Sequence, residues 1–144
     1  MRSFLLCLTL ALTGLTRAEE PKEATAEVQI KITIPQSVAS FKGRTLEARL
    51  YKYDPLLADK AADLVELHEE KQFSHSQGKE TVKEFRLGSK AKLEERRSYY
   101  LTLFILDGKT RTHIGECTHA KGFAKVLTQG QPSQVHAVFR ELKP

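Results

Sequence analysis

SYYLTLFILDGKTRTHIGEC, residues 98–117, decides the fold. Tyr99, Leu101, Leu103 and Ile105 fall on one side of an extended chain, and Tyr100, Phe104 and Leu106 on the other. Successive side chains of a strand alternate between faces, so apolar residues on both predict a central strand. Asp107-Gly108 follows, a dipeptide favoured in type I′ hairpin turns, and Lys109 to Cys117 reads as the return strand.

The same period of two recurs on either side of this hairpin. Val28, Ile30, Ile32 and Ile34 alternate with Gln29, Lys31 and Thr33 in a strand ended by Pro35. Residues 36–44 read as a loop. Leu46, Ala48 and Leu50 alternate with Glu47, Arg49 and Tyr51 in a second strand that runs to about Tyr53. Asp54-Pro55 has the form of a helix start, Asp54 as N-cap and Pro55 at the first position, and Leu57, Ala61 and Leu64 keep helical spacing. One short helix is therefore expected near 55–62. Alternation resumes at Val65, Leu67 and Phe73, a strand over 64–73, although Glu69, Glu70 and Lys71 favour helix. His75-Ser76-Gln77-Gly78 is a turn. Residues 80–87 form a strand with Thr81, Lys83, Phe85 and Leu87 on one side. Residues 88–97 are charged and irregular. Residues 120–131 form a loop that carries Val126-Leu127, and residues 133–142 a last strand with Val135, Ala137 and Phe139 together. About seven short strands punctuated by turns predict an all-β domain, a single antiparallel β-sandwich with one short helix.

The N-terminus has a different character. Arg2 precedes an apolar run from Phe4 to Leu15, and Thr16-Arg17-Ala18 places small residues at −3 and −1 of a cleavage point before Glu19. A dozen apolar residues are too few for a bilayer, which needs about 18–20, so residues 1–18 are expected to be a secretory signal peptide. Residues 19–26 are charged and small, a flexible lead, and residues 27–142 make the sandwich domain. Cleavage removes Arg2 and Arg17 and lowers the formal charge of +5 by two. So small an excess does not suggest a nucleic-acid binder. No second long apolar run follows, so no transmembrane segment is expected after cleavage, and the product is expected to be periplasmic or secreted. Cleavage also removes Cys7, which leaves Cys117 without an intramolecular disulfide partner. A lone thiol in an oxidising compartment is buried, metal-bound or paired with another molecule, and burial is the commonest fate.

Chemistry-bearing residues are few. His113, Glu116, Cys117 and His119 are metal-ligand types close together in the chain. On a strand, residues four apart are roughly 13 Å apart, so His113 and Cys117 cannot share an ion there. Cys117 and His119 can, given a ligand from elsewhere, and His136 is the distant histidine on a strand. Those three residues form a candidate metal or small-ligand site. Cys117 with either histidine also has the types of a thiol nucleophile and base, but no elbow, oxyanion loop or orienting third group accompanies them. No phosphate-cradling glycine run is present. The acid pairs Asp59/Asp63, Glu69/Glu70 and Glu94/Glu95 sit among basic residues, as solvated faces do. The basic cluster Lys90, Lys92, Arg96 and Arg97 is diluted by Glu94 and Glu95. Tyr51, Tyr53, Tyr99 and Tyr100 are core residues or mark a contact surface, and alternation lets at most one of Tyr99 and Tyr100 face solvent. No catalytic residue and no cofactor follows from the residues.

The order of these elements resembles a known family. It comprises Ile32 to Pro35, LEARLYKYD from Leu46 to Asp54, VKEFRL from Val82 to Leu87, RRSYYLTLFILDGKTRT from Arg96 to Thr112, and FAKVLTQGQPSQV from Phe123 to Val135. Over roughly residues 26–142 the pattern is similar to small bacterial envelope proteins that include the type III secretion pilotin-type lipoproteins. The resemblance implies a compact β-sandwich on the periplasmic side of the envelope that helps an outer-membrane ring assemble without catalysis. Those members are usually lipid-anchored, and here no cysteine stands at the cleavage point. The expectation is an exported, non-catalytic protein with an envelope protein partner in a binding, assembly or structural role. A metal- or ligand-binding domain using Cys117, His119 and His136 is the alternative.

Overall fold

The computed structural model describes residues 23–57 and 59–143, so the expected signal peptide, Cys7 and the first part of the lead lie outside the described residues. Eight strands follow in chain order: β1 (Val28–Ile34), β2 (Phe41–Tyr53), β3 (Asp63–His75), β4 (Thr81–Leu87), β5 (Ser98–Asp107), β6 (Thr110–Cys117), β7 (Ala124–Val126) and β8 (Gln134–Glu141). Every strand expected from alternation is present. β2 starts earlier than expected, within the segment read as a loop.

The expected sandwich is replaced by one sheet. Its strand order is β3-β2-β5-β6-β8-β1-β4, with β7 added to β5. All pairs are antiparallel except β1 with β8. The two end strands, β3 and β4, are consecutive in the chain and meet again, so the sheet curls into a nearly closed barrel. A sandwich and a barrel share the same inward–outward alternation, and only long-range pairing separates them. β2 bends to make the curl, with register shifts against β3 at Phe41/Arg44, Arg44/Leu46 and Leu50/Tyr51. Such bulges bend a strand and raise its local twist.

The barrel interior holds the residues that alternation assigned to it. Ile30, Ile32, Ile34, Leu46, Leu50, Tyr99, Leu103, Ile105 and Phe139 are all essentially inaccessible. Tyr99 points inward and its hydroxyl accepts from the Glu94 amide at 3.1 Å. Tyr100 is outward and half-buried, so at most one of the two tyrosines meets water, as expected.

No helix is present among the described residues. Asp54 does cap, its Oδ1 accepting from the Leu56 amide at 3.0 Å, but what it caps is a turn. Bonds from Leu57 N to the Asp54 carbonyl and from Lys60 N to the Leu57 carbonyl span three residues each. Leu56 and Leu57 are 90% and 52% exposed, so no apolar face holds a helix against the barrel. The β5–β6 hairpin is confirmed, but its turn differs from the expected type. Asp107 pairs with Thr110, and Gly108 alone has positive φ (+59°), which matches a Gly-first type II′ pattern. The lead expected to be flexible ends in an ordered stretch. Ala26 N donates to the Ala91 carbonyl at 2.7 Å and Leu93 N to the Ala24 carbonyl at 2.9 Å, with Ala26 fully buried.

The barrel closes through side chains. Among the described residues no backbone pairing joins β3 to β4. The register against β2 and β1 turns Glu66, His68 and Glu70 of β3, and Lys83, Phe85 and Leu87 of β4, toward the interior. There they cross the seam. The Glu70 carboxylate meets the Lys83 ammonium at 2.6 Å. His68 stacks on Phe85 at 4.5 Å and 11°. Glu66 Oε2 accepts from the Gly88 amide at 2.6 Å. Inward charges on end strands discourage edge-to-edge aggregation, and here they also bind the two edges together.

Candidate functional site

The concavity that stands out lies where β6 and β7 part. β5 pairs with β7 at Tyr99–Leu101 and with β6 at Phe104–Asp107. Thr102 and Leu103 therefore have a strand neighbour only on the β2 side among the described residues. Gly115 lies so close to Leu103 that a Cβ there would meet the Leu103 Cβ at 2.8 Å and the Phe139 ring at 3.1 Å. Beyond Gly115, β6 stays with β8 and leaves β5. The chain then loops over 118–123 before β7 returns. The resulting groove of about 740 Å³ is lined by Thr102, Phe104, Ile114, His119 and Phe123 among others.

Phe123 joins this groove to a second hollow of about 430 Å³ formed with Tyr53, Lys60, Ala62, Tyr100 and Lys125. An aromatic chain runs across both. Tyr51 stacks on Tyr100 at 5.0 Å, Tyr53 meets Tyr100 edge-on at 5.8 Å, and Tyr100 lies 5.3 Å from Phe123. Cross-strand pairing of Tyr51 with Tyr100 builds the first contact. Phe123 is 72% exposed, on top of the cluster. Burial pushes the Tyr100 hydroxyl above its usual titration range, with smaller contributions from Tyr51 and Tyr53. Arg49 anchors its edge by donating to the Tyr51 hydroxyl and the Glu47 carboxylate. Aromatic rings with a polar tip supply contact area at little entropic cost, and an uncovered cluster of them marks an interaction surface.

The residues singled out as metal-ligand types go separate ways. Cys117 pairs with Ala137 on the interior face and is 7% exposed. Burial raises its thiol from 9.0 to about 11. His119 lies in the loop, exposed, with Nε2–H donating to the Lys125 carbonyl at 3.0 Å. His136 is on the outer face of β8, its Nε2 2.9 Å from Thr33 Oγ1, beside a shallow polar hollow that also includes Lys31, Glu84 and Arg86. Glu116 is outside, accepting from Arg140 Nε and Nη2 at 3.0 and 2.7 Å. No group of three or more ligand-type residues converges among the described residues.

His113 is inside, 1% exposed, near Phe41 at a barrel end. Thr112 Oγ1 donates its single proton to the Ile105 carbonyl at 3.0 Å. His113 Nδ1 lies 2.9 Å from the same oxygen and 3.4 Å from Arg44 Nη1, which can only donate. Its Nε2 is buried without a partner among the described residues. Burial, then Arg44, lowers the imidazole's affinity for a second proton, and His75 adds to this while Glu141 opposes it.

The tyrosines of the patch were named from the sequence as a contact surface or core. Phe123 was not, because a lone aromatic in a glycine-containing loop carries no period to read.

No protein-family model matches the chain, and no curated protein sequence matches it. Among solved structures, the chain is similar in fold to an alternative pilotin from the type II secretion system of Vibrio cholerae. The TM-score is 0.58 and the identity 14%, over 84% of this chain and 100% of that one. A likeness this distant in sequence is one of fold. It supports a pilotin-like fold and does not support the type III assignment within that resemblance.

Proposed function

We propose that this chain is an exported, non-catalytic assembly factor of a bacterial envelope that holds a segment of a protein partner in the groove around Phe123. The observation that carries the reading is the uncovered aromatic row Tyr51–Tyr100–Phe123 beside a gap in the sheet. Soluble domains rarely leave such a cluster open without a partner to cover it. The pilotin-like fold supports the same reading, since that neighbour belongs to a secretion system. The N-terminal pattern of Arg2, the apolar run and Ala18 supports a mature start at Glu19 and a location beyond the inner membrane.

Two measurements test this. N-terminal sequencing of the protein recovered from the periplasmic fraction of a bacterial host is expected to begin at Glu19, and an uncleaved cytoplasmic product contradicts export. Affinity capture from envelope extract is expected to retain a subunit of an envelope assembly on the wild-type chain and lose it on Tyr100→Ala/Phe123→Ala. Equal retention on both contradicts the site.

A further inference from the structure

The groove has a charge as well as a shape. Lys60, Lys121 and Lys125 line its two hollows against a single carboxylate, Glu116. That carboxylate is already held by two donors of Arg140. Lys121 and Lys125 have no acidic partner among the described residues, and Lys60 reaches Asp63 only at 4.0 Å. At the far end Arg111 lies over the Phe104 ring at 4.1 Å, also without an acidic partner among the described residues. Elsewhere Lys52 is matched by Glu94, Lys83 by Glu70, Lys92 by Glu23, and Arg97 by Asp54 and Glu94, while other cations such as Lys31, Lys71 and Lys90 stand in no ion pair among the described residues. The rim of the open aromatic row thus carries a local excess of positive charge.

Building on the partner-binding reading above, we infer that the groove recognises an extended, acidic segment with apolar side chains at alternate positions. Alternation puts apolar groups on Tyr100, Phe123 and Phe104 while carboxylates reach the lysine rim. An extended backbone can run along the groove beside Thr102, which has no ladder partner on that side among the described residues. Exposed charge pairs of this kind act chiefly on association rate and partner choice, and salt weakens them.

The test uses fluorescence anisotropy with two labelled eight-residue peptides and the exported protein. One peptide alternates glutamate with phenylalanine or leucine, and the other has lysine in place of every glutamate. The glutamate peptide is expected to bind and to weaken as salt rises. The lysine peptide is expected to bind at least about tenfold less well. Lys121→Glu/Lys125→Glu is expected to reverse that preference, a gain of binding that misfolding cannot imitate. Phe123→Ala is expected to weaken the glutamate peptide. Equal binding of the two peptides, or a preference unmoved by the double reversal, overturns the inference. Affinity capture that still depends on Tyr100 and Phe123 would then show that the partner-binding reading survives without the acidic preference.

Discussion

His113 is the side chain whose surroundings are most at odds with its chemistry. Its neutral form fits, while a second ring proton would create a buried cation beside Arg44. The folded-state pKa is depressed below the unfolded value of about 6.5. Below that pH the unfolded chain binds the proton more readily, so the stability contributed by neutral His113 is present above about 6.5 and is lost as pH falls. Urea unfolding at pH 7.5 and 5.5 is expected to show lower stability at 5.5, with a smaller difference in His113→Leu. A difference of the same size in both chains contradicts the assignment. Cys117 works in the opposite direction. Its thiol is raised to about 11 in the fold, so stability falls as pH rises from about 9 toward 11, where only the unfolded chain ionises. Peptide mapping after brief alkylation at pH 8 is expected to find Cys117 unmodified in the native protein and modified in urea. His113, Glu116, Cys117 and His119 share a short stretch, but β6 sends them inward, outward, inward and into a loop, a separation that residue types alone do not reveal.

At the scale of elements, the seam between β3 and β4 is the part of the barrel most open to change. Its bridges are side chains, and the Glu70–Lys83 pair is partly wet. Lys83→Ala is therefore expected to cost no more than about 1 kcal/mol. Gly88 is different. It has φ +79°, its amide binds Glu66, and a Cβ would overlap the Ala26 carbonyl and press on Leu50. Gly88→Ala is expected to cost roughly 2–3 kcal/mol in chemical denaturation, and a cost near zero contradicts the packing described. Period two located the longer strands from Val28 onward because one face of each is buried, but it missed the three-residue β7, which lies in the segment read as a loop. It failed between Asp54 and Asp63, where a capping aspartate and spaced leucines imitate a helix start. Nothing packs on Leu56 or Leu57, so the cap closes a turn instead.

For the whole molecule, alternation establishes an inside and an outside but not how many sheets enclose the inside. β8 returning parallel to β1, with β3 folding back toward β4, turns the expected sandwich into a barrel, and the long-range β1–β8 pairing has no local signal. The groove is a product of the assembled sheet. It exists because β6 and β7 share β5 without meeting, and Gly115 and Phe123 acquire meaning only once the sheet is assembled. The tyrosine half of the site was legible as side chains suited to a half-wet surface, and the loop half was not. The central claim, that a partner chain covers this aromatic row, is tested most directly by photo-crosslinking in the native host. A photoreactive residue is placed at position 123, with position 31 on the outer face of β1 as control. A discrete protein adduct at 123 and none at 31 is the result expected. An adduct absent at 123, or equal at both positions, would contradict it.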